Sequence, residues 1–161
     1  MQEYLHLKNA PITEAIIDFR VKLHPDFQVK EFFSLKKELH EKYPTVRERK
    51  MIEGTLEIRD GKPIQTLPVD KGLYGYFFES NDGKNVAQFR KDGFTFSRLK
   101  PYTRWEEVIQ EARTLWNKYV KISSPEYVTR IATRYINHLN IPLPIAGLSD
   151  YLASPPKIPD I

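Results

Sequence analysis

Short strand-like runs separated by turn dipeptides fill the middle of the chain, and this pattern limits the fold more than any other feature. The runs cover roughly 46–59, 72–80, 84–91 and 93–99, and the turns between them are Asp60-Gly61, Asn81-Asp82-Gly83 and Asp92-Gly93. Glycine in these turns supplies the positive φ that tight hairpins need. We therefore predict an antiparallel meander whose strands pair with their neighbours in sequence.

Two longer strands flank this meander. Residues 12–23 and 126–139 alternate between two faces and are rich in β-branched side chains, which is typical of strands. The polar faces of these strands carry Glu14, Asp18 and Arg20 on the first and Arg130, Arg134 and His138 on the last. If the strands are neighbours, carboxylates and guanidinium groups face one another, about 4.5–5.5 Å apart at directly opposed Cβ atoms.

Two amphipathic helices complete the pattern. Apolar residues recur at helical spacing from Val29 to Leu39, and Tyr43-Pro44 ends this first helix. The second helix is predicted to start at a capping box formed by Thr103 and Glu106, and it carries an apolar stripe that includes two tryptophans. The order β-α-β-β-β-β-α-β predicts an α+β fold, with a mainly antiparallel sheet of about six strands and both helices on one face.

The chain of 161 residues has the usual size of one domain. We assign residues 1–140 to the α+β domain. The remaining segment, 141–161, contains five prolines and at most a short helix near 148–152. Proline-rich linkers more often join domains than finish them, so we expect this segment to lead to a second part of the protein.

Composition excludes several classes of function. The chain has no cysteine, which rules out thiolate nucleophiles, disulfides and cysteine zinc sites. The four histidines are far apart, so no metal site is predicted, and no glycine-rich phosphate loop or known catalytic motif indicates a cofactor. The 21 acidic residues are scattered among the 25 basic ones, which disfavours nucleic-acid binding.

The sequence also predicts where the protein works. Its first residues lack the basic and apolar regions of a signal peptide. No run approaches the roughly 18 apolar residues that a membrane span requires. We therefore expect a cytoplasmic protein without a membrane partner.

Three stretches of sequence carry a resemblance to a known family. They are APITEAIIDFR at 10–20, GFTFSRLKPYTRWEE at 93–107 and RIATRYINHLNIPLP at 130–144. Together they resemble a sporadically distributed prokaryotic family of uncharacterised proteins, over nearly the whole chain. The resemblance implies that this chain corresponds to the N-terminal part of longer proteins. It implies no catalytic residue, because the family has no assigned activity.

The candidate ligand-binding residues lie mainly on the two flanking strands. They are Glu14, Asp18, Arg130, Arg134 and His138, together with Arg98 and Tyr102 just before the second helix. One interpretation is that the strand residues form cross-strand ion pairs on a solvated face, each worth at most about 1 kcal/mol. The alternative is a cationic floor for a small anion, and the helix start beside Arg98 is a second candidate anion site.

A third candidate surface is the aromatic strand at 73–78. Tyr74, Tyr76 and Phe78 are predicted to face one side, while Leu73 and Phe77 face the other. A strand that is apolar on both faces must be covered on both. The cover is either a missing C-terminal part, a packed loop at 64–69, a second copy in a homodimer or a ligand.

These observations favour a non-catalytic binding or assembly module, because clear fold signals coexist with no recognisable catalytic set. One alternative is an enzyme or sensor for a small anionic ligand on an arginine-lined sheet face, with Asp18, Glu14 or His138 as acid or base. A weak nucleic-acid binder is the other alternative.

Overall fold

A six-stranded antiparallel sheet dominates the computed structural model, which describes residues 10–54, 56–59, 62–65, 68–145 and 147–155. The elements are β1 (Ile12–Lys22), a 3-10 helix (Val29–Ser34), α1 (Leu35–Leu39), β2 (Thr45–Glu53), β3 (Leu56–Arg59), β4 (Lys62–Gln65), β5 (Val69–Glu79), β6 (Asn85–Arg90), β7 (Gly93–Leu99), α2 (Trp105–Ser123), β8 (Tyr127–Asn137) and a second 3-10 helix (Leu148–Asp150). The predicted α+β fold with an antiparallel sheet is confirmed.

The strands of the main sheet lie in the order β2-β5-β6-β7-β1-β8, and every neighbouring pair is antiparallel. Strands β5, β6 and β7 pair with their neighbours in sequence, as the turn dipeptides between them predict. Strand β1 lies between β7 and β8, so the two flanking strands are neighbours in one sheet.

The predicted strand at 46–59 is two strands instead of one. Strand β2 pairs with β5 in the main sheet, whereas β3 pairs with β4 in a separate two-stranded sheet. Residues 62–65 are therefore a strand, although the sequence places a loop at 64–69. The predicted turn at Asp60-Gly61 lies outside the described residues.

Both helical segments pack on the same face of the sheet, where they bury the core. Phe32 of the first 3-10 helix stacks on Tyr119 of α2 with ring centroids 4.9 Å apart, and it contacts Phe89 of β6 at 5.7 Å. The ring of Trp116 stacks on Phe19 at 4.4 Å. Aromatic packing between helix and sheet therefore holds this face together, since burial of such large side chains stabilises the fold more than any single polar contact.

The start of each helical segment differs from the prediction. The first segment is a 3-10 helix before it becomes α-helical at Leu35. Helix α2 begins after Arg104, whose backbone is extended, so the predicted capping box at Thr103 and Glu106 is wrong. The Thr103 hydroxyl donates to the Glu107 carboxylate at 2.5 Å, and no side chain of the described residues caps the first backbone N–H groups of α2.

The aromatic strand is covered by the chain itself. Tyr76 and Phe78 are buried in the core under the helices, so these two side chains are not available as the surface of a homodimer. Phe77 lies on the opposite face, where the guanidinium groups of Arg47 and Arg49 lie over its ring at 5.7 and 5.6 Å. Both apolar faces of the strand are therefore covered, one by the helices and the other by arginine side chains.

Two adjacent phenylalanines test the assigned core. Phe32 is 0% exposed and Phe33 is 49% exposed. Phe32→Ala is expected to lower the free energy of unfolding by about 3–5 kcal/mol, because it leaves a cavity between helix and sheet. Phe33→Ala is the matched control and should lower the free energy of unfolding much less. Urea unfolding of both variants measures the difference, and equal losses would contradict the packing described here.

Candidate functional site

The face of the sheet opposite the helices carries a charged cavity of about 290 Å³. Strand residues alternate between faces, so the neighbours of buried core residues point to this side, which we call the polar face. Thr95 lies between Phe94 and Phe96 in this way, and Arg90 follows Phe89. The charged residues that line the cavity are Arg20, Arg49, Arg90, Arg130 and Arg134, with the carboxylates Glu14 and Asp18.

Asp18 on β1 lies at the centre of the polar face and accepts four hydrogen bonds. Its Oδ1 accepts from the Thr95 hydroxyl at 2.7 Å and from Nη2 of Arg90 at 3.0 Å. Its Oδ2 accepts from Nη2 of Arg130 at 2.7 Å and from Nε of Arg20 at 3.2 Å. One carboxylate thus joins strands β1, β6, β7 and β8.

Burial and hydrogen bonding act in opposite directions on the pKa of Asp18. Its side chain is 13% exposed, and burial alone would raise the pKa. Hydrogen bonds from Thr95, Arg130 and Arg90 outweigh burial and hold the pKa of Asp18 well below its ordinary value. Asp18 is therefore ionised at neutral pH, and all of its oxygen contacts stabilise the charged form.

A second carboxylate supports the same arginines from the turn before β7. Asp92 forms an ion pair with Arg20, and its Oδ1 lies 3.2 Å from Nε of Arg90. Gly93 follows at the start of β7, opposite both Arg20 and Arg90 in the sheet. A Cβ atom at Gly93 would lie 1.9 Å from the Phe19 carbonyl oxygen, so only glycine allows this close approach of β1 and β7.

The outer arginines keep the cavity positive and accessible. The side chain of Arg130 is 55% exposed although it is bonded to Asp18. Arg134 is exposed, and no ion pair joins it to another residue in the described part of the chain. Nη1 of Arg49 donates to Oε1 of Gln88 at 2.5 Å, which places its guanidinium at the opposite side of the cavity. Arginines thus outnumber carboxylates in a partly open site.

The structure brings four of the predicted residues together, since Glu14, Asp18, Arg130 and Arg134 all line this cavity. The ion pair between Arg130 and Asp18 is diagonal across the ladder, because Asp18 lies opposite Ala132 and Arg130 lies opposite Arg20. His138 lies beyond the end of β8, where its backbone N–H donates to the Pro11 carbonyl at 2.8 Å.

Arg98 and Tyr102 do not belong to the same site. Arg98 lies opposite the buried Ala15, so it is on the helix side of the sheet, where it donates to Asn85 at 3.1 Å. It lines a separate cavity of about 180 Å³. The ring of Tyr102 contacts Tyr135 at 5.8 Å, and burial together with a hydrogen bond to Tyr135 raises the pKa of Tyr102 to about 12.

Sequence reasoning missed Arg90, Arg49 and Thr95 as parts of the site. The signal was present, because the alternation in β6 and β7 places Arg90 and Thr95 opposite to the core phenylalanines. What the sequence does not show is that β6 and β7 lie beside β1, which brings these side chains to Asp18. Strand order is a long-range property that no local pattern contains.

The arrangement is suited to holding an anion more than to transferring a proton. A carboxylate whose pKa is strongly depressed is a weak base at neutral pH, and the oxygens of Asp18 already accept four hydrogen bonds. Within the described residues, no three histidine, aspartate or glutamate side chains converge where they could hold a metal ion. No described helix is both long and apolar enough to cross a membrane.

Comparison of this chain with protein-family models, curated proteins and solved structures found no match. The resemblance to the sporadic prokaryotic family stays a prediction. The candidate function is therefore inferred from the geometry of the polar face.

The Asp18 network predicts a specific dependence of stability on pH. A group whose pKa is lower in the folded state stabilises the fold above its unfolded pKa of about 3.9, and this stabilisation is lost as the pH falls toward the folded value. Asp18→Asn should lower the free energy of unfolding at pH 7 by about 1–3 kcal/mol. The difference from the wild type should shrink as the pH falls below about 4.

Urea unfolding at a series of pH values measures this difference. The matched control is Asp26→Asn, since Asp26 is an exposed aspartate at the turn after β1, and it should show little effect at any pH. A loss that stays constant from neutral to strongly acidic pH would contradict an ionised, hydrogen-bonded Asp18.

Proposed function

We propose that this chain is a non-catalytic binding module that holds an anionic ligand on the polar face of its sheet. The observation that carries the proposal is the convergence of three guanidinium groups on one largely buried carboxylate, inside an open cavity with two further arginines. The ligand class follows from charge, because positive groups outnumber negative ones among the residues that line the cavity.

The donors available to a ligand are on the exposed arginines. A guanidinium group has five N–H donors, and Arg130 uses Nη2 to bond Asp18. Its side chain is nevertheless more than half exposed, and Arg134 lies four residues further along β8, on the same face of the sheet. Planar guanidinium groups bind carboxylate or phosphate oxygens in pairs, which lysine does not do.

Asp18 prepares the site before any ligand arrives. Holding Arg20, Arg90 and Arg130 on one carboxylate restricts their side chains, so less conformational entropy is lost on binding. Arg90 is buried, so moving its guanidinium away from Asp18 would leave an unpaired charge in the protein interior. The Asp18 network therefore supports a fixed binding surface, on which no residue has a catalytic role in this proposal.

A cytoplasmic location is part of the proposal. The chain has no cysteine, so it gains nothing from an oxidising compartment. Small organic anions and acidic protein segments are abundant in a reducing cytoplasm, which suits a site of this charge.

Citrate is a suitable first probe, since it carries three carboxylates. NMR titration at low salt should shift the arginine side-chain signals of the polar face, and added salt should weaken binding by screening. Arg134→Gln should weaken citrate binding about tenfold, because it removes one charge-assisted interaction.

The control is Arg113→Gln, since Arg113 is an exposed arginine on α2, away from the polar face. It should leave the affinity unchanged. The proposal is wrong if citrate causes no shifts at concentrations up to about 1 mM, or if both variants lose affinity equally.

A further inference from the structure

Strand β8 forms one edge of the main sheet. It has 11 residues and pairs with β1 on one side, and no strand of the described residues pairs with its other side. Several of its apolar side chains are exposed to solvent: Ile131 is 66% exposed, and Tyr127, Tyr135 and Ile136 are also exposed. A long apolar edge is a ready template for another strand, and proteins commonly protect such edges with inward charges, prolines or bulges.

The direction of the backbone groups on β8 follows from the ladders of β1. The Thr13 carbonyl accepts from the Lys100 N–H at 2.9 Å, and the Val21 N–H donates to the Asp92 carbonyl at 3.0 Å, both on the β7 side. Backbone N–H and C=O groups alternate between the two sides of a strand. The backbone groups of the even-numbered residues from Glu14 to Arg20 are therefore directed to β8.

Their partners on β8 are Arg130, Ala132, Arg134 and Ile136, which consequently form the hydrogen-bonded pairs with β1. The residues between them, Ile131, Thr133 and Tyr135, direct their N–H and C=O groups away from β1. These three residues therefore present backbone donors and acceptors at the outer edge of the sheet.

The charge on this edge is of one sign. Between Tyr127 and Asn137 the only charged residues are Arg130 and Arg134, and both lie on the polar face. A strand added to this edge would place alternate side chains next to these arginines and the others next to Ile131 and Tyr135. An acidic residue suits the first position and an apolar residue suits the second.

We propose that the outer edge of β8 binds an acidic, extended segment of a partner protein as an added antiparallel strand. Its carboxylates pair with Arg130 and Arg134, its apolar side chains cover Ile131 and Tyr135, and its backbone bonds to the outward groups of β8. This inference rests on the proposed function, because Arg130 and Arg134 also line the anion cavity.

A second copy of this chain is a poorer occupant of the edge. In antiparallel self-pairing centred on Ile131, Ala132 or Thr133, an arginine of one copy lies opposite or diagonal to an arginine of the other. Like charges in these positions destabilise a ladder. The edge therefore complements an acidic strand better than it complements itself.

The probe is a blocked synthetic peptide in which valine and glutamate alternate over the 11-residue length of β8. Fluorescence anisotropy of a labelled form measures its affinity for the full chain. A peptide with lysine in place of glutamate should bind at least about tenfold more weakly, because it meets the arginines with like charge.

Backbone methylation of the peptide tests strand addition without altering the protein. In antiparallel pairing, valines opposite Ile131, Thr133 and Tyr135 direct their N–H groups to β8, whereas the glutamate N–H groups point away. N-methylation of alternate valines should weaken binding at least about tenfold, and N-methylation of alternate glutamates should change it less than about threefold. Any other pattern overturns the proposal.

Two protein variants provide the complementary test. Thr133→Pro removes an outward N–H and should bind the peptide about tenfold more weakly than Thr133→Val, which keeps this donor. Circular dichroism checks that both variants are folded. If Thr133→Pro does not fold, the methylated peptides still decide the question.

The outcomes separate this inference from the proposed function. Citrate binding without discrimination between the methylated peptides overturns strand addition and leaves the anion site intact. Failure of both citrate and the peptide to bind overturns both. A dimer of the free protein whose contact is lost in Thr133→Pro would show that a second copy occupies the edge, which also overturns the proposal.

Discussion

The polar face depends on one ionised carboxylate. Asp18 accepts hydrogen bonds from Thr95 and from three arginines, and these partners come from β1 itself and from strands on both sides of it. Without a negative charge at this position, the guanidinium groups would repel one another, and the buried Arg90 would lose a partner at the inner end of the cavity. The shape and the charge of the cavity therefore follow from the ionisation of Asp18.

The two faces of the sheet contribute different things to the protein. The helix face buries stacked aromatic rings, such as Phe32 on Tyr119, and this apolar burial supplies most of the stability. Ion pairs on a partly exposed face contribute little by comparison, and a buried pair often contributes less than apolar residues of similar size. Five arginines line this cavity against two carboxylates, and the proposed anion binding would account for this excess of positive charge.

The sequence predicts local features of this fold well and long-range features poorly. Alternation places Asp18 and Arg130 on defined faces of their strands, and turn dipeptides identify the β5-β6-β7 meander. Strand order is set by packing between distant segments, so the contribution of Arg90 to the site could not be foreseen. The sequence places Arg98 at a second candidate anion site beside the helix start, and the pleat of β7 directs its side chain to the helix face, away from the Asp18 network. The predicted capping box is wrong because α2 begins after Arg104, one residue later than a cap at Thr103 requires.

The most direct test is an NMR titration of the carboxyl carbon of Asp18 in the folded protein. An aspartate without strong partners titrates near pH 3.9. The account predicts that the carboxyl carbon of Asp18 keeps the chemical shift of an ionised carboxylate through this range. The chemical shift should change only at lower pH, where the protein begins to unfold. A titration step at or above the ordinary value would show that the guanidinium groups do not hold this carboxylate, and it would contradict the account.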